Sequence, residues 1–239
     1  MPDQPDHDIH GNPVGRPVPD WGPRPEPEPV TLEGRYVTAV PLVSAYYADL
    51  LAATCGPDDG GLWTYRPVSM PRTLPELWMH LAGVIDQPET VTFAFVPKQG
   101  AYAGRAAGIA SLQRIVPAHG QVEVGGVLFG AGLQRTRAAT EAIHLLMGHA
   151  LDDLGYRRFE WKCDSLNEPS RRAAARLGFT YEGRFRNHMV VKGLNRDTDW
   201  FALTAEDWPA VRAAHRAWLD PANFDADGRQ LAALSELTG

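Results

Sequence analysis

Large apolar residues at Val91, Phe93 and Phe95 alternate with smaller ones and mark a strand with one face turned to a core. Phe159, Trp161 and Cys163 alternate in the same way with Arg158, Glu160 and Lys162, so that strand also has one buried face. Further strands fit Arg35–Val40, Ala107–Ile115 and Gln121–Phe129. The period then lengthens. Ala139, Ile143, Leu146, Ala150 and Leu154 form one apolar stripe at helical spacing, which predicts a helix over Gln134–Leu154 ended by Gly155. An alanine-containing apolar helix fits Val43–Thr54, and another opens near Thr73, where Glu76 completes a capping box. Asn167 caps a short helix with Pro169 in its first turn, closed by Leu177, Gly178 and Phe179. Tyr181–Val191 and Trp200–Thr204 read as a hairpin across KGLNRD, and Thr204 with Asp207 starts a last helix running to about Trp218. The order is mixed α and β, with strands early, a central strand–helix–strand–helix, and a closing hairpin.

Composition divides the chain further. Residues 1–29 hold nine prolines and hardly any large apolar side chain, so they cannot bury enough surface to offset their ordering entropy. They read as an extended or disordered leader, in which Trp21 is the exception, expected as a lone exposed ring with a pin to the body or to a partner chain as the alternative. The body spans 30–219, and 220–239 is a peripheral segment. With 44% hydrophobic and 22% charged residues in 239, the chain can bury the core of an enzyme. A formal net charge of −6 argues against general nucleic-acid binding. Cys55 and Cys163 are too few for a disulfide framework and lack metal-ligand spacing, so no metal is expected. No apolar run is long enough to span a bilayer, and the acidic, Pro-rich start lacks the regions of a signal peptide. Cytoplasm is the expected location.

The chemistry concentrates in QVEVGGVLFGAGLQRTRAATEA, Gln121–Ala142: a strand, a short turn and the start of a long helix. Helix starts present unsatisfied N–H groups and partial positive charge, which suits phosphate. Arg135 and Arg137 are expected in that first turn. There they oppose the helix dipole unless an anion binds between them, and the alternative is two solvated arginines.

This block resembles motif A of the GNAT superfamily of N-acetyltransferases, Q/R-x-x-G-x-G/A, as Gln134, Arg135, Thr136, Arg137, Ala138, Ala139, followed by Thr140 and Glu141. Downstream, Asn167-Glu168-Pro169-Ser170, Gly178-Phe179 and Glu182-Gly183 are similar to the branch that includes ribosomal-protein N-terminal acetyltransferases. The resemblance spans roughly Leu32 to Asp207. It implies one α/β (α+β) domain with a mixed, mostly antiparallel sheet flanked by helices. It also implies acetyl-CoA as co-substrate, an amine acceptor (a peptide N-terminus or a small molecule), and a homodimer as one assembly. The pyrophosphate would rest on the N–H groups of Arg135, Thr136, Arg137, Ala138, Ala139 and Thr140, and the pantetheine would pair with the strand edge at Val127, Leu128 and Phe129. Asn167 and Ser170 match positions facing the thioester end; helix capping is the alternative for both. Arg137 departs from the pattern, since the family usually has glycine there.

The reaction implied is direct attack of a neutral amine on the thioester, which calls for a base, an oxyanion donor and a proton for sulfur. Glu123 is the first candidate base, in apolar surroundings that raise a carboxyl pKa; a structural ion pair is the alternative. His188 is the second candidate, with surface packing as its alternative. The position of the tyrosine that many relatives use as acid holds Ala174, which leaves Ser170 as the nearest substitute. Other readings are the same fold with a longer donor such as succinyl-CoA, and a catalytically silent module that binds coenzyme A.

Overall fold

The computed structural model describes residues 6–238. Eight strands form one sheet: β3 (Leu32–Glu33), β4 (Val37–Pro41), β5 (Thr90–Pro97), β6 (Gly108–Val116), β7 (Gln121–Phe129), β8 (Arg158–Asp164), β9 (Thr180–Val191) and β10 (Leu194–Thr204), in the order β3-β4-β5-β6-β7-β8-β10-β9. Every neighbouring pair is antiparallel except β7 and β8, which the crossover helix α3 (Arg137–Gly148) joins in parallel. The mixed, mostly antiparallel arrangement expected from the sequence is the one observed.

Two cores cover the sheet, one on each face. Leu50 of α1 (Tyr47–Thr54) and Leu77 and Leu81 of α2 (Leu74–Ile85) pack with Ile109 and Leu128. The opposite core joins Ile143 and Leu146 of α3, Ala174 of α4 (Glu168–Arg176) and Val211 of α5 (Trp208–Leu219) to Phe95, Val122, Val124 and Phe159. Burial of these side chains, at about 25 cal/mol per Å² of apolar area, is the main force holding the layers. A buried carboxylate ties α3 to the early strands. Glu141 accepts the backbone N–H groups of Arg35, Tyr36 and Val37 at 2.8, 2.6 and 3.0 Å.

Of the expected leader, residues 1–5 lie outside those described. β1 (Asp6–His7) and β2 (Pro13–Val14) make a small hairpin, and the chain after it meets the turn between β6 and β7, where the Arg24 N–H donates to the Pro117 carbonyl at 3.0 Å. Trp21 is docked rather than exposed alone. Its indole N–H donates to the Ala118 carbonyl at 2.9 Å, and its ring lies 4.4 and 5.6 Å from the guanidinium carbons of Arg24 and Arg157. At the other end, the turn Pro221–Asn223 and α6 (Leu234–Leu237) pack on α5, with Leu234 fully buried.

Several boundaries differ from expectation for local reasons. The central helix begins at Arg137 rather than Gln134, because extended Thr136 caps it by accepting the Ala139 N–H at 3.1 Å. It loses α geometry in a π turn over His149–Asp153 before Gly155. At α2, Thr73 caps as expected, but Glu76 accepts the N–H of Arg72 and not of Thr73, so the box is not reciprocal. The hairpin closes more tightly than KGLNRD, on Lys192 and Gly193 at φ of 52° and 78°. The last helix starts at Trp208, after Thr204 and Asp207 bond each other at 2.6 Å.

Candidate active site

The two central strands part company early. β7 and β8 pair only from Gln121–Arg158 to Glu123–Glu160, and beyond that point the edge of β7 is not joined to β8. β7 is also bulged. Ser111 faces Gly125 and Ile109 faces Leu128, so two residues, Gly126 and Val127, oppose Ala110 alone. Gly126 supplies the left-handed backbone the bulge needs, at φ 61°. A side chain at Gly125 would collide with Gln113 and Glu123. The result is a V-shaped opening through the sheet, with β7 as one wall.

The strand edge is partly engaged already. The Gln134 amide donates to the Phe129 carbonyl at 2.8 Å, and Arg66 Nη1 donates to the carbonyls of Gly126 and Val127 at 3.2 and 3.3 Å. A pantetheine arm pairing at Val127, Leu128 and Phe129 would compete with these donors for those carbonyls.

Next comes the turn into α3. Arg135 sits at φ 59°, before the cap, and not in the first helical turn where the sequence placed it. Ala139 and Thr140 spend their N–H groups on Thr136, at 3.1 and 3.4 Å. The backbone N–H groups of Arg135, Thr136, Arg137 and Ala138 bond nothing among the described residues, so the start of the helix carries unsatisfied donors of the kind that suit an anion. The Arg135 side chain is exposed and makes no ion pair there. Arg137 differs. Its guanidinium carbon lies 4.1 Å from the Phe224 ring centroid and 5.2 Å from that of Tyr36. The arginine that replaces the usual glycine thus packs between Tyr36, just before β4, and the C-terminal segment. Its own φ is negative, as a helix requires.

On the sheet face opposite α3, a group of polar residues gathers beside the opening. Glu123, 1% exposed, accepts Gln113 Nε2 at 2.6 Å and lies 3.0 Å from Lys162 Nζ and 3.7 Å from Arg114 Nε. Burial pushes its carboxyl pKa up and that of the Lys162 ammonium down, and their mutual attraction offsets only part of both shifts. Lys162 Nζ lies 5.1 Å from the Trp200 ring. His188 completes the group at 6.3 Å from the same ring, with its Nδ1 2.9 Å from Thr198 Oγ1. Its other ring nitrogen bonds nothing among the described residues. Its pKa lies below the ordinary imidazole value, through loss of solvent and then the charges of Lys162, Arg196 and Arg114. Glu123 and His188, remote in sequence, therefore share one surface through Lys162 and Trp200.

At the head of α4, Asn167 caps by accepting the Ser170 N–H at 3.3 Å. Ser170 Oγ accepts the Trp161 indole N–H at 3.0 Å, and its hydroxyl also bonds the neighbouring Cys163 thiol. Ala174 is buried in the core. Glu182 pairs with Arg158, which also holds Glu160. Arg66, Lys162, Trp200 and Arg196 were not singled out from the sequence. Only Lys162 had a signal there, as a polar position on the open face of β8. Among the described residues no group of His, Cys, Asp and Glu is placed to hold a metal, and no helix is long and apolar enough to cross a membrane.

The geometry has counterparts in known proteins. Residues 38–180 match the family model described as "Acetyltransferase (GNAT) domain". A GCN5-related N-acetyltransferase from Brucella melitensis is 43% identical and superposes with a TM-score of 0.89, over 92% of this chain and 99% of that one. A Chromobacterium violaceum protein described as one of the "probable acetyltransferases (GNAT family)" is 34% identical, with a TM-score of 0.76 over 83% of this chain and 98% of that one. A curated Bacillus subtilis protein, "Putative ribosomal N-acetyltransferase YdaF", is 26% identical over 45% of this chain, and the match spans 58% of that relative's length.

Proposed function

The chain belongs to the acetyltransferase (GNAT) family, and on that premise we propose that it moves an acetyl group from acetyl-CoA to a primary amine by direct attack on the thioester. The observation that carries this reading is the parting of β7 from β8 directly after Glu123, which leaves an open strand edge beside a helix end with unbonded N–H groups. An edge of that kind takes an amide-bearing arm as an added strand, and the helix end takes its phosphates.

In this reading the N–H groups of Arg135 to Ala138, with the Arg135 side chain, hold the pyrophosphate. Val127, Leu128 and Phe129 line the pantetheine arm after Arg66 and Gln134 yield a carbonyl. His188 takes the proton of the attacking amine, since its second ring nitrogen bonds nothing among the described residues and loss of solvent, followed by the nearby cations, favours its neutral form. Glu123 has its oxygens turned to Gln113 and Lys162, and it acts by holding the Lys162 charge in place. Ser170 donates its proton to the departing thiolate. The acceptor amine is a peptide N-terminus or a small molecule.

Two measurements test the reading. Calorimetry is expected to show acetyl-CoA binding at micromolar concentrations, in the usual range for enzyme substrates. A thiol-release assay over peptides and small amines is expected to show amine-dependent turnover. No binding at tens of micromolar would overturn the cofactor assignment, and binding without turnover on any amine would leave a silent module.

A further inference from the structure

Resting on the acyl-transfer reading, a further property concerns what the acceptor carries besides its amine. The chain is acidic overall, yet cations ring the opening. On the floor stand Lys162, Arg114 and Arg196, whose Nε donates to Thr198 Oγ1 at 3.3 Å. On the other side a strap formed by Trp63–Arg66 crosses from β7 to the tip of the β9–β10 hairpin. Arg66 binds the bulge carbonyls of β7, the Tyr65 hydroxyl donates to the Leu166 carbonyl at 2.9 Å, and Lys192 Nζ donates to the Trp63 carbonyl at 2.7 Å.

Carboxylates do not match these charges. Arg66 forms no ion pair among the described residues although its Nε is buried without a partner, and burial alone lowers its pKa to about 10. Arg196 and Lys192 likewise have no carboxylate within 4.0 Å there. Glu123 is shared between Lys162 and Arg114. Glu160 is paired with Arg158 through Oε1 alone, and Asp164 accepts the N–H of Leu166 at 2.9 Å. Partly buried cations without counter-charges cost desolvation energy that an incoming anion would offset. An aromatic floor lies beneath them. The Trp200 and Phe185 rings are 5.1 Å apart, and His188 adjoins both.

We propose that the acceptor is an amine whose own molecule bears a carboxylate or phosphate, held over Trp200 by Lys162 and Arg196 with Arg114 at the rim and Arg66 on the far wall. The anion fixes the molecule while its amine turns toward His188 and the thioester.

Matched acceptors test this in the full-length protein with acetyl-CoA: O-phosphoethanolamine against ethanolamine, glycine against glycinamide, and a peptide with Asp against Asn at its second and third positions. With kcat/KM expressed on the neutral-amine fraction, the anionic member of at least one pair is expected to lead by about tenfold or more. That lead should shrink as salt is raised. In Arg196→Gln, and in Arg114→Gln at an exposed side chain, the ratio should fall toward one. The responding pair tells a small anionic amine from an acidic peptide. Equal rates within every pair would overturn the proposal. A preference for succinyl-CoA over acetyl-CoA with neutral amines would also overturn it, by assigning the anion to the donor. If no amine reacts, calorimetry with O-phosphoethanolamine still decides. Binding that Arg196→Gln abolishes would keep the anion subsite and sink only the transferase reading, whereas no binding would sink both.

Discussion

Glu141 and Glu123 are both buried carboxylates of the same strand–turn–helix block, yet their surroundings are opposite. Glu141 is filled by the backbone N–H groups of Arg35, Tyr36 and Val37, which are fixed by the chain itself. Glu123 is met only by side chains, those of Gln113, Lys162 and Arg114, which can rotate or exchange partners. Backbone donors make a lock, and side-chain donors make a charge that neighbours can use. Burial alone does not tell the two apart; the kind of donor does.

The sharpest way to break the comparison is to empty each site. Glu141→Ala strands three backbone donors, each costing about 1–3 kcal/mol when buried without a partner, so a stability loss of about 3–5 kcal/mol is expected in denaturant unfolding. A loss below about 1 kcal/mol, the median for point changes, would mean that Glu141 is no lock. Glu123→Gln keeps the shape and the Gln113 contact, so its effect on stability should be much smaller.

Activity should divide the other way. His188→Gln is expected to lower kcat by about a hundredfold or more, the range for loss of a positioned base, with acetyl-CoA affinity unchanged by calorimetry. Glu123→Gln should also lower turnover, but by less, because it removes support for Lys162 and leaves the base itself. If Glu123→Gln proves the more damaging, the buried carboxylate is the base and His188 only packs on Trp200.

pH sharpens the contrast further. The Glu123 carboxyl has a raised pKa in the folded protein, chiefly from burial, so between the usual carboxyl value of 4.5 and the folded value the native state holds more protons than the unfolded. Its contribution is therefore present at low pH and lost as pH rises through the folded pKa. Wild type should lose stability relative to Glu123→Gln as pH is raised above 4.5, and parallel curves would contradict the raised pKa. His188 has a lowered pKa and must be neutral to act, so the acid limb of kcat should fall below the ordinary imidazole value of 6.5.

Much of this was legible along the chain. β7 occupies Gln121–Phe129 as the apolar pattern predicts, and Asn167 caps α4. The start of α3 was not, because Gln134 and Arg135 are good helix formers and nothing in their types announces the left-handed turn at Arg135. Thr136 was the available signal, being a strong capping residue in front of an apolar stripe. Trp21 and Arg66 find their partners far away in sequence, at Ala118 and at Gly126 and Val127. Periodicity reports which face is buried, not what lies across from it. The same limit hid the open face of the site, where Lys162, Trp200 and His188 come from three different strands.

The smallest expected effects separate the two arginines of the turn. Arg137 lies one turn before Glu141 on α3 and belongs with the lock, since its guanidinium stacks on Phe224 and Tyr36. Arg137→Ala forfeits cation–π contacts worth about 0.5–2 kcal/mol and relieves a cation at a helix start worth about 0.3–1 kcal/mol. The net change in stability should be at most about 1.7 kcal/mol, and acetyl-CoA affinity should hardly move. Arg135 is exposed beside the open N–H groups and has no ion-pair partner among the described residues, so Arg135→Ala should weaken acetyl-CoA by a few-fold, and more at low salt than at high. If Arg137→Ala weakens acetyl-CoA as much as Arg135→Ala does, its side chain leaves the aromatic rings to meet phosphate, and the glycine it replaces has been exchanged for a ligand contact instead of a structural one.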